Sequence, residues 1–69
     1  MRYAIILEKT ANGYSAYAPD LPGCVAAGDT FDETAELMRE AVEFHVEGLR
    51  QKGEPVPEPN SVAEFVEVA

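Results

Sequence analysis

Residues 14–33 read Tyr14-Ser15-Ala16-Tyr17-Ala18-Pro19-Asp20-Leu21-Pro22-Gly23-Cys24-Val25-Ala26-Ala27-Gly28-Asp29-Thr30-Phe31-Asp32-Glu33. This stretch decides the architecture. Tyr14–Ala18 and Cys24–Gly28 are short strand-like runs. Between them, Pro22-Gly23 suits the two central positions of a type II turn, because proline presets φ and glycine supplies the positive φ that follows. Thr30-Phe31-Asp32-Glu33 then forms a capping box. The threonine hydroxyl can accept from the Glu33 amide, while the Glu33 carboxylate reaches back to the Thr30 amide. Asp32 and Glu33 also complement the positive start of a helix.

Upstream, residues 2–9 (Arg-Tyr-Ala-Ile-Ile-Leu-Glu-Lys) are rich in strand formers. Asn12-Gly13 follows, a strong hairpin signal, since a type I′ turn needs positive φ at both central residues. A turn there sets Ala11 opposite Tyr14 and Leu7 opposite Ala18. Downstream, Ala35, Met38, Val42, His45 and Leu49 recur at helical steps, widened by Phe31, Leu37 and Ala41. Lys52-Gly53 is a stop signal, so the helix spans about 31–52. Pro55-Val56-Pro57-Glu58-Pro59 predicts an extended connector. Val62–Val68 predicts a fourth strand. The chain therefore reads as one domain over 1–69: strands about 2–9, 14–18, 24–28 and 62–68, and one helix. The order β-β-β-α-β makes an α+β two-layer sandwich.

One helix covers one face of a sheet. Yet strand 1 is apolar on both faces (Tyr3, Ile5 and Leu7 against Ala4 and Ile6), and so is the 62–68 run. A sheet face left in water normally alternates. Part of the second face or an edge is therefore expected to meet another chain, making the protein a homodimer or higher oligomer.

The chain has 69 residues, 46% of them hydrophobic, and a formal net charge of −8. A domain this small buries only about 60% of its unfolded surface and usually relies on a disulfide, a metal or a partner chain. Its one cysteine and one histidine exclude an internal disulfide and a Cys/His zinc cluster. Residues 29–69 hold eleven of the thirteen acids and three of the five bases, so this half carries the whole excess. That balance argues against direct contact with nucleic acid phosphates and suits a basic protein partner. No apolar run approaches a membrane span. With no export signal and a lone thiol, a cytoplasmic protein is expected.

Cys24 could be a nucleophile, but the nearby acids work against a thiolate, and a buried apolar role fits it better. His45 could be a general base or pH switch; its place on the apolar stripe favours a histidine at the core edge. Asp20, Asp29, Asp32 and Glu33 could hold a divalent ion as in a metal-dependent nuclease. Turn and cap roles account for all four without one. Tyr3, Tyr14 and Tyr17 could stack bases, but no basic patch flanks them. Glu36, Glu40, Glu43 and Glu47 line the helix surface, either as a solvated face or as a surface for a basic partner.

These residues resemble the N-terminal domain of HicB-type antitoxins. The densest likeness is Pro19-Asp20-Leu21-Pro22-Gly23-Cys24, then Gly28-Asp29-Thr30 and Phe31-Asp32-Glu33-Thr34-Ala35, preceded by Gly13-Tyr14. The resemblance implies a partly degraded ribonuclease H-like fold without retained nuclease activity, metal or cofactor. It also implies a role in neutralising HicA, a small mRNA-cleaving toxin, by binding it and occluding its site. On that reading Asp20, Leu21, Pro22 and Gly23, together with Glu36, Glu40, Glu43 and Glu47, meet a basic surface of the toxin. Leu37 departs from the family, where a polar residue is common. Only Ser61–Ala69 follow the connector, so a short stand-alone form without a DNA-binding domain of its own is expected. The alternatives are a residual metal-dependent ribonuclease H-like nuclease and an orphan interaction module.

Overall fold

The structure, a computed structural model, describes residues 1–69. Strand β1 (Ile6–Lys9) pairs antiparallel with β2 (Tyr14–Tyr17), setting Leu7 opposite Ala16 and Lys9 opposite Tyr14. This register lies two residues from the one expected. The connection is not a type I′ turn, for neither Asn12 nor Gly13 takes a positive φ. Instead the Thr10 amide donates to the Gly13 carbonyl at 2.8 Å, and the Gly13 amide donates to Thr10 Oγ1 at 3.1 Å. The reversal thus centres on Ala11-Asn12. Because the slip is even, every side chain keeps its expected face.

The β2–β3 connection follows the sequence reading. The Cys24 amide donates to the Leu21 carbonyl at 3.1 Å across Pro22-Gly23, and Gly23 has φ +82°. Strand β3 (Val25–Gly28) then pairs antiparallel with β2, giving a sheet in the order β1-β2-β3. Gly28 ends it where a side chain has no room. A Cβ there would lie 2.7 Å from Thr34 Oγ1 and 2.9 Å from Glu33 Oε1, so the helix start can settle against the strand end.

Helix α1 (Phe31–Gln51) begins as the capping box predicts on one side: the Glu33 amide donates to Thr30 Oγ1 at 3.1 Å. The return bond differs, because Glu33 Oε1 accepts from the Asp29 amide, at 3.4 Å, rather than from Thr30. At the other end the Glu54 amide donates to the Leu49 carbonyl and the Gly53 amide to that of Arg50, a Schellman motif with Gly53 at φ +69°.

The core lies between α1 and one face of the sheet. Leu21 and Met38 are fully buried, joined by Ala16, Ala18, Cys24 and Val46, with Tyr3, Ile5, Leu7, Val42 and Val56 packed around them. Val46, outside the expected stripe, belongs to it. Phe31 and Leu37, expected to widen it, remain partly exposed, and Phe31 meets the Tyr14 ring edge-on at 5.8 Å.

The expected fourth strand over 62–68 does not form. No backbone–backbone hydrogen bond involves any residue after Glu54. A strand exists only through its ladder, and within the chain this segment pairs with neither open edge of the sheet. It is tied down at its base instead. The Tyr3 hydroxyl donates to the Pro57 carbonyl, and Asp20 holds Ser61. Residues 62–69 beyond that anchor are exposed. Strand 1 is likewise shorter than expected, with residues 2–5 outside the ladder.

Candidate functional site

Helix α1 and the β2–β3 turn together build a groove of about 340 Å³. Gly23, Cys24 and Val25 form one wall; Ala41, Phe44, His45, Gly48, Leu49 and Lys52 form the other. Val25 is 65% exposed and Phe44 82% exposed. The outer edge of β3 borders this groove unpaired. An apolar floor, an open strand edge and an exposed aromatic on a rigid helix are features of a protein-contact site.

Glu36, Glu40, Glu43 and Glu47 follow steps of four, three and four, so they form one stripe along α1, and all four are exposed. Phe44 stands beside that stripe. Arg39 pairs with Glu36 at 3.6 Å in an exposed geometry worth little to stability. Among the turn residues, Pro22 and Gly23 are exposed and Gly23 lines the groove, while Leu21 lies in the core and supports the turn from beneath. Asp20 is not part of the groove lining and is engaged by the C-terminal segment. Its Oδ2 accepts from the Ser61 amide at 2.8 Å and its Oδ1 from the Ser61 hydroxyl at 2.9 Å. These bonds, that from the backbone amide first, hold the carboxyl below the ordinary aspartate range. The structure thus brings Gly23 and the helix to one groove and assigns Asp20 to the C-terminal segment.

The remaining candidates are placed as follows. Cys24 is buried, and burial pushes its thiol pKa up, against reactivity. His45 is half-buried on the groove wall. Asp20 is on Ser61 and Glu33 on the Asp29 amide, and no three His, Cys, Asp or Glu side chains are grouped to hold a metal ion. No helix is long and apolar enough to cross a membrane. Sequence reasoning missed Phe44 and Val25. Phe44 carried a readable signal, a large aromatic outside the apolar stripe; Val25 carried none, since its strand could face either way.

Three antiparallel strands followed by one helix define a small α+β domain. The chain is similar to a chain of the HicA3 and HicB3 toxin-antitoxin complex, with a TM-score of 0.74 and 38% identity over 87% of this chain and 70% of that one. It is also similar to the antitoxin HicB3 crystal structure, with a TM-score of 0.67 and 40% identity over 83% of this chain and 42% of that one. The family described as HicB_like antitoxin of bacterial toxin-antitoxin system matches residues 3–69. The chain belongs to that family.

Among sequence relatives, a 14.9 kDa protein of the rep-hol intergenic region of Haemophilus phage HP1 is 39% identical over 66 residues, covering 96% of this chain and 50% of that protein. Antitoxin HicB 2 of Photorhabdus laumondii is 32% identical over 73 residues, covering 99% of this chain and 50% of that protein. The chain spans about half the length of both.

Proposed function

We propose that this domain is the toxin-binding part of an antitoxin: it binds a HicA-like mRNA-cleaving toxin in the cytoplasm and occludes its RNA-binding surface, without catalysis of its own. The observation that carries this reading is the acidic stripe Glu36-Glu40-Glu43-Glu47 beside the exposed Phe44 and the open edge of β3. An RNA-cleaving enzyme needs a basic surface for phosphates, and a row of carboxylates competes for that surface. Phe44 supplies apolar contact at the centre, and the acids of the stripe steer association. The chain's similarity to a chain of the HicA3 and HicB3 complex supports the choice of partner. In the same reading the fold is a partly degraded ribonuclease H-like one, and the protein works as a homodimer or higher oligomer.

Titration calorimetry of the protein with a cognate HicA-like protein tests the proposal. Saturable binding that weakens with added salt, accompanied by loss of mRNA cleavage, is expected. Absence of binding at low salt, where Coulomb attraction is strongest, overturns it.

A further inference from the structure

We infer that the segment Ser61–Ala69 is an exchange arm, which docks as a fourth strand on the outer edge of β1 in a second copy of this chain. The inference specifies how the oligomer forms and is independent of whether a toxin binds.

Four observations carry it. Val62, Phe65, Val66 and Val68 are 81–91% exposed within a run of strand-forming residues, and nothing in their own chain covers them. The outer edge of β1 has no partner strand, while its side chains continue an apolar row: Ile6, Tyr17 and Val25 lie directly opposite one another on the sheet face away from α1. Tyr17 in that row is 41% exposed. The molecule is also drawn out, with extents of 46 × 26 × 15 Å and a radius of gyration of 13.3 Å. A compact domain of this length has a radius near 11 Å. Finally, the base of the arm is fixed by the Asp20–Ser61 and Tyr3–Pro57 bonds, so its direction is set before any partner arrives.

The occupant is a second copy because one chain carries both halves of the contact. The arm offers unpaired backbone, apolar side chains and two acids, Glu64 and Glu67. The β1 region offers an unpaired edge and two exposed cations outside any ion pair, Arg2 and Lys9. Two copies related by a two-fold axis pair both β1 edges at once, which closes the assembly at a dimer. The area is sufficient. An extended eight-residue segment exposes on the order of 1,200 Å². Covering half of two such arms, with the matching partner surface, buries on the order of 2,000 Å², enough for a stable dimer.

The test uses the full chain without any toxin. Light scattering coupled to size-exclusion chromatography at micromolar concentration is expected to give twice the 7.5 kDa chain mass. Phe65→Glu combined with Val66→Glu is expected to halve that mass and remove the fourth strand's share of the far-ultraviolet circular dichroism while leaving the helical signal of α1 intact, because both side chains lie outside the core. In a mixed sample of labelled and unlabelled chains, intermolecular Overhauser contacts are expected between the Val66 methyls and Ile6. A monomeric wild-type chain overturns the inference, as does a dimer that survives the double substitution. Contacts arising only within one chain overturn it too. Calorimetry with a toxin is unaffected by the first of these outcomes, so failure here is distinct from failure of the toxin reading.

Discussion

Asp20 and Ser61, separated by 41 residues, are joined by two hydrogen bonds of 2.8 and 2.9 Å to the two oxygens of one carboxylate. The pair fastens the proline connector to the end of the hairpin. Asp20→Ala removes both bonds, whereas Ser61→Ala keeps the one from the backbone amide. The expected order of melting temperatures is therefore wild type, then Ser61→Ala, then Asp20→Ala. Amide hydrogen exchange at Ser61 should quicken in the same order. Equal effects from the two substitutions would contradict a backbone-led anchor.

The same bonds give a pH dependence with a definite sign. The folded pKa of Asp20 is lowered, so its contribution is complete above the ordinary carboxylate value, about 3.9. It disappears as pH falls through the lower folded value. The stability difference between wild type and Asp20→Asn should be constant near neutrality and shrink to nothing in strong acid. A difference that grows on acidification would sink this account.

Much of the architecture was legible because local chemistry decides it. Pro22-Gly23 can hardly do anything but turn, and Thr30 with Glu33 marks a helix start wherever it precedes an apolar stripe. The hairpin register was misread because Asn12-Gly13 favours a turn that needs two positive φ angles, and the Thr10 side chain offers the backbone another closure. The fourth strand was misread for a different reason. Val62–Val68 has strand composition, but a strand needs an edge, and no composition says which molecule supplies it. Asp20 likewise looked like a turn residue, since nothing in its neighbourhood announces a partner 41 residues away.

Leu21 was expected at the contact surface and instead holds the turn from below, fully buried. Leu21→Ala should cost about 2–5 kcal/mol, the range for deleting a buried leucine side chain. A domain this small has little more than that to lose. Urea titration followed by circular dichroism should show the variant largely unfolded without denaturant, or with a midpoint shifted far down. A shift too small to measure would mean that the turn is seated by other contacts.

Gly48 separates stability from recognition. It sits within α1 on the groove wall, and an added Cβ meets nothing within 4 Å. Gly48→Ala should stabilise the helix by about 0.5–1 kcal/mol, because glycine is the costlier residue in a helix interior. The methyl group also narrows the groove. Thermal melting should therefore rise while affinity for a HicA-like partner falls. Unchanged affinity would place the partner away from this wall.

The acidic stripe and Phe44 predict different kinetics for the same partner. Glu43→Lys with Glu47→Lys reverses two exposed charges of the helix stripe, so the association rate should fall tenfold or more at low salt and approach wild type as salt is raised. Phe44→Ala removes apolar contact at the centre and leaves the long-range field alone. It should speed dissociation with little change in association rate and little dependence on salt. Stopped-flow measurement at two ionic strengths distinguishes the two. If both substitutions act only on association, Phe44 lies outside the contact and the groove is not where the toxin sits.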